Sequence, residues 1–151
     1  MLAIGHVNGL GAVFDSDFQN AHKIDEINTA IACDNMKLLD ELLLDIVDVN
    51  VPDSHNNYPI QIAVEFGNAH ALISLINNGS NPNIADRKGY TPLMRALDAK
   101  YIPNRYLIVV LLLNNGADVN ILAHNYKSAL YIARSKNSRF INLLKRFGAK
   151  F

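Results

Sequence analysis

The sequence predicts an all-α solenoid of stacked helix-turn-helix repeats with their turn tips along one edge, and three observations carry that prediction. First, a phrase recurs: Asp53-x-x-Asn56-x-Tyr58-Pro59-Ile60-x-x-Ala63 and Asp86-x-x-Gly89-x-Thr91-Pro92-Leu93-x-x-Ala96 lie 33 residues apart. Second, each period holds two apolar runs at helical spacing, such as Ile60, Ala63 and Val64, then Leu72, Ile73, Leu75 and Ile76, with Gly67-Asn68 between them. Third, Gly79, Gly116 and Gly148 each follow a second run, where a helix ends on a left-handed residue. Self-similarity at this period means stacked units that each bury an apolar face only against a neighbour.

Taken in order, residues 1–22 form an N-terminal cap or arm, and residues 23–151 hold four units at about 23–52, 53–85, 86–122 and 123–151. The stretch from Met1 to Phe14 is apolar and Gly-rich, with no positive n-region and no sustained helical run expected, so it reads as neither signal peptide nor membrane span. It is expected to fold over the open face of unit one. In unit one, Glu26-Ile27-Asn28-Thr29-Ala30 takes the place that Pro59 to Ala63 has in unit two. Pro59 and Pro92 suit the first turn of a helix, where the missing N–H has no partner to lose. Gly89, three residues after Asp86, suits a tight turn that needs positive φ, and Asn56 is the next most tolerant residue at the same place. Unit four has Tyr126 there, so Asn125 is expected to take the left-handed conformation and shift the turn by one. Asn50, Asn83 and Asn120 each end a short polar turn, and the last interval is 37 rather than 33 residues. The four extra residues fall around Lys100 to Arg105, lengthening the connection between the two helices of unit three.

With Asp86-Arg87-Lys88-Gly89-Tyr90-Thr91-Pro92-Leu93 and Leu111-Leu112-Leu113-Asn114-Asn115-Gly116-Ala117-Asp118-Val119-Asn120 in view, the chain resembles the ankyrin-repeat family over residues 23–151. The family's His after Pro-Leu is replaced by Asn28, Gln61, Met94 and Tyr131, so its usual Thr–His hydrogen-bond pairing is absent. Units one and four also lack the Thr-Pro pair. The resemblance implies that partners bind a concave surface made of the turn tips and the outward positions of the first helices. Carried over position by position, that surface comprises Ser54, His55, Asn57, Glu65 and Phe66 in unit two, and Arg87, Lys88, Tyr90, Asp98 and Ala99 in unit three. Unit four adds Leu122, His124, Asn125, Lys127, Ser135 and Lys136.

Composition agrees with one compact domain, since half of the residues are apolar. The single cysteine, Cys33, excludes an internal disulfide framework and fits a reducing, cytoplasmic location. Net charge is zero, yet residues 1–53 hold ten carboxylates against Lys23 and Lys37, while residues 54–151 hold four against twelve cations. In a linear stack this becomes a spatial dipole that orients a charged partner.

Catalytic constellations are wanting. Cys33 has no histidine brought near it by the repeat register, which argues for a bystander thiol. His22, His55 and Lys88 share one column, but neighbouring units are ~10 Å apart, too far for two histidines to share a zinc at bonds of ~2 Å. His6, His70 and His124 belong to no metal motif, and Gly9-Leu10-Gly11 lacks the third glycine and the strand of a dinucleotide fingerprint. No metal, cofactor or enzymatic activity is expected. The basic residues match no nucleic-acid-binding pattern.

The partner expected is therefore another protein, with no nucleic acid and no membrane, bound by a chain that is a monomer when free. The interface is expected to centre on Arg87, Lys88 and Tyr90, flanked by His55, His124 and Lys127. A second candidate surface is the insertion, with Tyr101, Arg105 and Tyr106. The size of the chain favours a stoichiometric inhibitor or a toxin-neutralising immunity protein. The rivals are an adaptor or pathogen effector engaging a host protein, and an enzyme with an unrecognised site near Cys33 and Asp34.

Overall fold

The computed structural model describes the backbone of residues 3–46 and 48–150 and the side chains of residues 18–46 and 48–150. Among the described residues there are eight helices and no strand, paired as four units. Unit one is α1 (Ala3–Ala32) and α2 (Met36–Leu43), and unit two is α3 (Pro59–Glu65) and α4 (Ala69–Asn77). Unit three is α5 (Pro92–Asp98) and α6 (Arg105–Asn114), and unit four is α7 (Ala129–Ala133) and α8 (Ser138–Arg146).

Most helices in this stack are too short to persist alone in water, so tertiary burial sustains them. The first helices align Ile27, Ile60, Leu93 and Leu130 in one buried column, and Ala30, Ala63, Ala96 and Ala133 in another. Alanine at every level of the second column lets adjacent helices approach closely. Leu39, Leu72, Leu75, Leu112 and Leu144 of the second helices complete a continuous core. Start signals are local: Asn35, Asn68, Thr91, Ser128 and Asn137 each accept a hydrogen bond from a first-turn N–H, and Pro59 and Pro92 open their helices as expected. Gly79, Gly116 and Gly148 have φ of 88°, 93° and 89°, the left-handed stops expected of them.

Two expectations need correction. Helix α1 starts at Ala3, so residues 3–14 do carry a sustained helical run, and the 22/23 boundary falls inside one helix. Once the packed turns around Ile24, Ile27 and Ile31 nucleate a helix, each further residue adds a hydrogen bond for little extra ordering. The packing expected of residues 1–17 as a cap lies outside the described side chains. In unit four Tyr126 itself, not Asn125, is left-handed, with φ 60°. The turn keeps its register because Tyr126 N–H donates to Ala123 O at 2.9 Å and Ala123 N–H to Lys127 O at 3.0 Å, just as Gly89 and Asp86 bond in unit three. A bulky residue in that conformation is strained, and the closed turn holds it there.

The units are tied by side chains as well as by apolar contact. Asn83 Nδ2 donates to Gly116 O at 2.9 Å and its Oδ1 accepts from Asp118 N at 2.7 Å. Asn50 makes the same pair of bonds to Gly79 and Asn81, and Asn120 to Gly148 and Lys150. Replacing Asn83 with alanine removes two hydrogen bonds, each worth about 0.5–1.5 kcal/mol net, so an equilibrium urea titration is expected to show a loss of about 1–3 kcal/mol. A loss within error would mean that water replaces both partners freely.

A second tie sits where the family's histidine is missing. Asn28 Nδ2 donates to an Asp53 carboxylate oxygen at 2.9 Å and to Asn57 O at 3.3 Å, and Gln61 Nε2 donates to Ile84 O and Tyr90 O at 3.1 and 3.2 Å. These buried amides hold the next unit's turn to the preceding helix. Met94, at the same position in unit three, is buried and apolar, and there His124 N–H donates to Lys88 O at 3.0 Å instead.

Candidate functional site

The turn tips of units two, three and four are each braced by a polar side chain within the turn. Asp53 Oδ1 accepts from the N–H groups of His55 and Asn57 at 2.9 and 2.7 Å. Asp86 Oδ1 accepts from Lys88 and Tyr90 at 2.8 and 2.9 Å, and Asn125 Oδ1 accepts from Lys127 at 3.2 Å. The tips thus hold their loop backbones still, so that side chains at the intervening positions project from fixed points.

Between the tips and the first helices lies a groove centred on a residue that the sequence reading missed. Arg95, half-buried in α5, places Nη2 2.7 Å and Nε 2.9 Å from Asp86 Oδ2, with Nη1 3.5 Å from Glu65 of unit two. Its signal was present in Leu93-Met94-Arg95-Ala96-Leu97, where one cation within an apolar helix requires a partner. A hollow of about 370 Å³ beside it is lined by Glu65, Asp86, Lys88, Tyr90, Asp98 and Asn125, with Ala99 and Ile102 also on its wall. A smaller one of about 210 Å³ adjoins His55, Asn57, Arg87 and Lys88.

The structure brings together His55, Asn57, Arg87, Lys88, Tyr90, Asp98 and Asn125 around these two hollows. Ser54, His124 and Lys136 are exposed; Lys127 is half-buried, with Nζ 5.7 Å from the Tyr131 ring centre. Tyr90 is half-buried and packed on the core rather than standing free at the tip. Phe66 is exposed but lines a different hollow with Asp34 and Pro103. On the insertion, Tyr101 is exposed, while Arg105 donates to Ala99 O and half-buried Tyr106 carries the Arg139 guanidinium 3.5 Å above its ring.

Burial raises the pKa of Asp53, but hydrogen bonds from the Asn57 backbone, the Asn28 amide and the His55 backbone outweigh it and hold the carboxyl below the ordinary aspartate value. For Asp86 burial again acts upward, and the Tyr90 and Lys88 N–H groups together with Arg95 outweigh it. Carboxyls depressed in the folded state contribute stability above the unfolded pKa, ~3.9, and lose it as pH falls through the folded value. Acid denaturation is therefore expected to become shallower below pH ~4 when Asp53 and Asp86 are both changed to Asn, because the linked proton uptake is gone. An unchanged slope would remove these two groups from the acid transition.

Three side chains invite a catalytic reading, and their geometry argues against it. Ser54 Oγ lies 2.9 Å from Asp25 Oδ1 and 3.1 Å from His55 Nδ1, so serine bridges carboxylate and imidazole. Its one proton goes to the carboxylate, whereas an activated serine gives it to an imidazole that the carboxylate orients. Asp25, Asp53 and His55 also converge closely enough to suggest a cation, but hydrogen bonds from Ser54, Asn57 and Asn28 already account for the approach of the carboxylates. Cys33 is exposed and stands outside this group.

Phased helix pairs, glycine stops and the asparagine ladder define a repeat module of the ankyrin type. Residues 27–123 match the family model of ankyrin repeats in three copies, and the chain belongs to that family. The match spans units one to three, and unit four continues their helix pairing and their asparagine ladder. Among known proteins the chain is similar to E3 ubiquitin-protein ligase KEG of Arabidopsis thaliana, at 29% identity over 122 residues, which are 79% of this chain and 8% of that protein. As an ankyrin-repeat domain the chain is a protein-interaction module. No helix among the described residues is long and apolar enough to cross a membrane.

Proposed function

We propose that this chain is a non-catalytic binder of another protein, that the groove of units two to four receives the partner, and that binding is the output, as in a stoichiometric inhibitor or a toxin-neutralising immunity protein. The observation that carries the reading is the groove itself. Exposed Arg87, Lys88 and His124 stand on braced tips around a half-buried Arg95–Asp86 pair. Contact side chains held on rigid loops lose little freedom on binding. The likeness to a stretch covering 8% of a ubiquitin ligase favours a second reading, in which the repeats act as an adaptor.

Arg87→Glu with Lys88→Glu tests the proposal, compared with wild type in affinity capture from the native cell followed by mass spectrometry. Tyr90 stays unchanged because it packs on the core. A protein retained at one-to-one stoichiometry by wild type is expected to be lost by the variant, while the melting temperature stays within about 2 °C, as for other exposed substitutions. Inhibition of that protein's activity by the wild type supports the inhibitor reading, and unaltered activity of the bound partner supports the adaptor. Equal capture by both forms moves the interface out of the groove. Tyr101→Ala then asks whether it lies on the insertion.

A further inference from the structure

Between the two helices of each of the first three units, the chain turns on a left-handed residue: Asp34, Gly67 and Asn104, with φ of 56°, 61° and 53°. Two contacts join these connections. Asn68 Nδ2 donates to Asp34 Oδ1 at 3.1 Å, and the Pro103 carbonyl lies directly against Gly67. Phe66, 49% exposed, stands beside both contacts. The three connections surround a hollow of about 510 Å³ lined by Asp34, Phe66, Asn68, His70, Pro103 and Asn104, and none of these six borders the groove. Pro103 and Asn104 come from the lengthened connection of unit three, so one wall of the hollow is made by this chain's own insertion.

Three groups here lack a counterpart. Asn68 engages one oxygen of Asp34, and Asp34 Oδ2 has no hydrogen bond or ion pair among the described residues. Asn104 opens α6 without a capping bond, and its side-chain amide is likewise unpartnered among them. The third is the open Phe66 ring. Charge in the hollow has one sign, because no lysine or arginine lines it, His70 Nε2 lies 3.3 Å from Asp40 Oδ2, and Arg105, next to Asn104, donates to Ala99 O.

We infer that this hollow is a second interaction surface, separate from the groove, and that it receives an arginine side chain of a partner protein. A guanidinium there donates to Asp34 Oδ2 and to the Asn104 amide oxygen while its plane lies against the Phe66 ring, so one cation meets all three groups. Arginine fits better than lysine because its planar, weakly hydrated fork stacks and donates several hydrogen bonds at once, whereas an ammonium is a strongly hydrated point charge. Nucleic acid is disfavoured. Its phosphates meet the Asp34 carboxylate and find no lining lysine or arginine to neutralise them.

The test follows the amide resonances of the isotope-labelled whole chain during titration, up to millimolar concentration, with an end-blocked Gly-Gly-Arg-Gly-Gly peptide and with the same peptide carrying lysine or citrulline in place of arginine. The arginine peptide is expected to move the resonances of Asp34, Phe66 and Asn104 and to leave those of Lys88 and Asn125 in place, so this outcome is independent of the groove reading. Asp34→Asn should weaken binding by roughly tenfold, in the range of a lost hydrogen bond to a charged group, and Phe66→Leu by roughly two- to fivefold. Both positions are exposed. Asparagine tolerates the left-handed backbone and its side-chain oxygen still accepts from Asn68, and circular dichroism checks that both variants fold. The inference is overturned if the arginine peptide moves no resonance in the hollow, if Asp34→Asn binds it unchanged, or if the lysine or citrulline peptide binds as tightly.

Discussion

Leu112→Ala is expected to lower unfolding stability by about 2–5 kcal/mol, the range for leucine-to-alanine changes in a packed core. Leu112 lies in α6 with its side chain fully buried, and its carbonyl accepts from Asn115 and Ala117 as the helix closes. The cavity therefore opens beside a fixed backbone with little room to collapse. Position matters as much as size, because each unit of a linear stack contacts only its neighbours. Weakening unit three separates units one and two from unit four, so the transition is expected to broaden as well as shift. Leu107→Ala in the same helix, 46% exposed, is the control and should cost far less. Equal midpoints for the two variants in urea would show that α6 does not carry the core.

The architecture was legible because its signals are local and repeated. The period, the prolines at first turns and the glycines at last turns each follow from backbone geometry, and four copies average out the degenerate ones. What escaped notice depends on contacts between units. Tyr126 keeps its place in the turn at the cost of strain because Ala123 and Lys127 close the loop around it, and no local preference reveals that. Asn28 and Gln61 look like losses of a family residue, yet both amides reach the next unit's turn. Arg95 was visible as a charge in an apolar run, but its partners lie nine residues behind it in sequence, at Asp86, and one unit back, at Glu65. For the site, sequence reading collected most of the side chains that surround the groove. It could not separate those standing free, such as Arg87 and Lys88, from those already packed, such as Tyr90 and Tyr106.

The insertion gives the second large effect and reverses an expectation. A period that resumes after Lys100–Arg105 suggests that these residues can be deleted at little cost, as loop-length changes usually are. The structure instead buries Ile102 to 6% exposure and seats Pro103 on Gly67 of unit two. Gly67 has φ 61°, and a Cβ built there would lie 2.1 Å from the Pro103 carbonyl oxygen. Gly67→Ala is therefore expected to cost about 1–2 kcal/mol for the left-handed backbone and about 1–3 kcal/mol more for displacing the loop. Ile102→Ala alone should cost about 2–5 kcal/mol. A double-mutant cycle separates the two parts of the glycine effect. In a chain lacking residues 100–103, itself less stable for want of Ile102, Gly67→Ala should retain only the backbone part, since the blocking oxygen has gone. If Gly67→Ala costs the same in both backgrounds, the loop yields freely and the close approach carries no energy. A coupling of about 1–3 kcal/mol would establish that the extra residues of unit three act as a strut against unit two, and that this stack is held by a contact its repeat pattern does not contain.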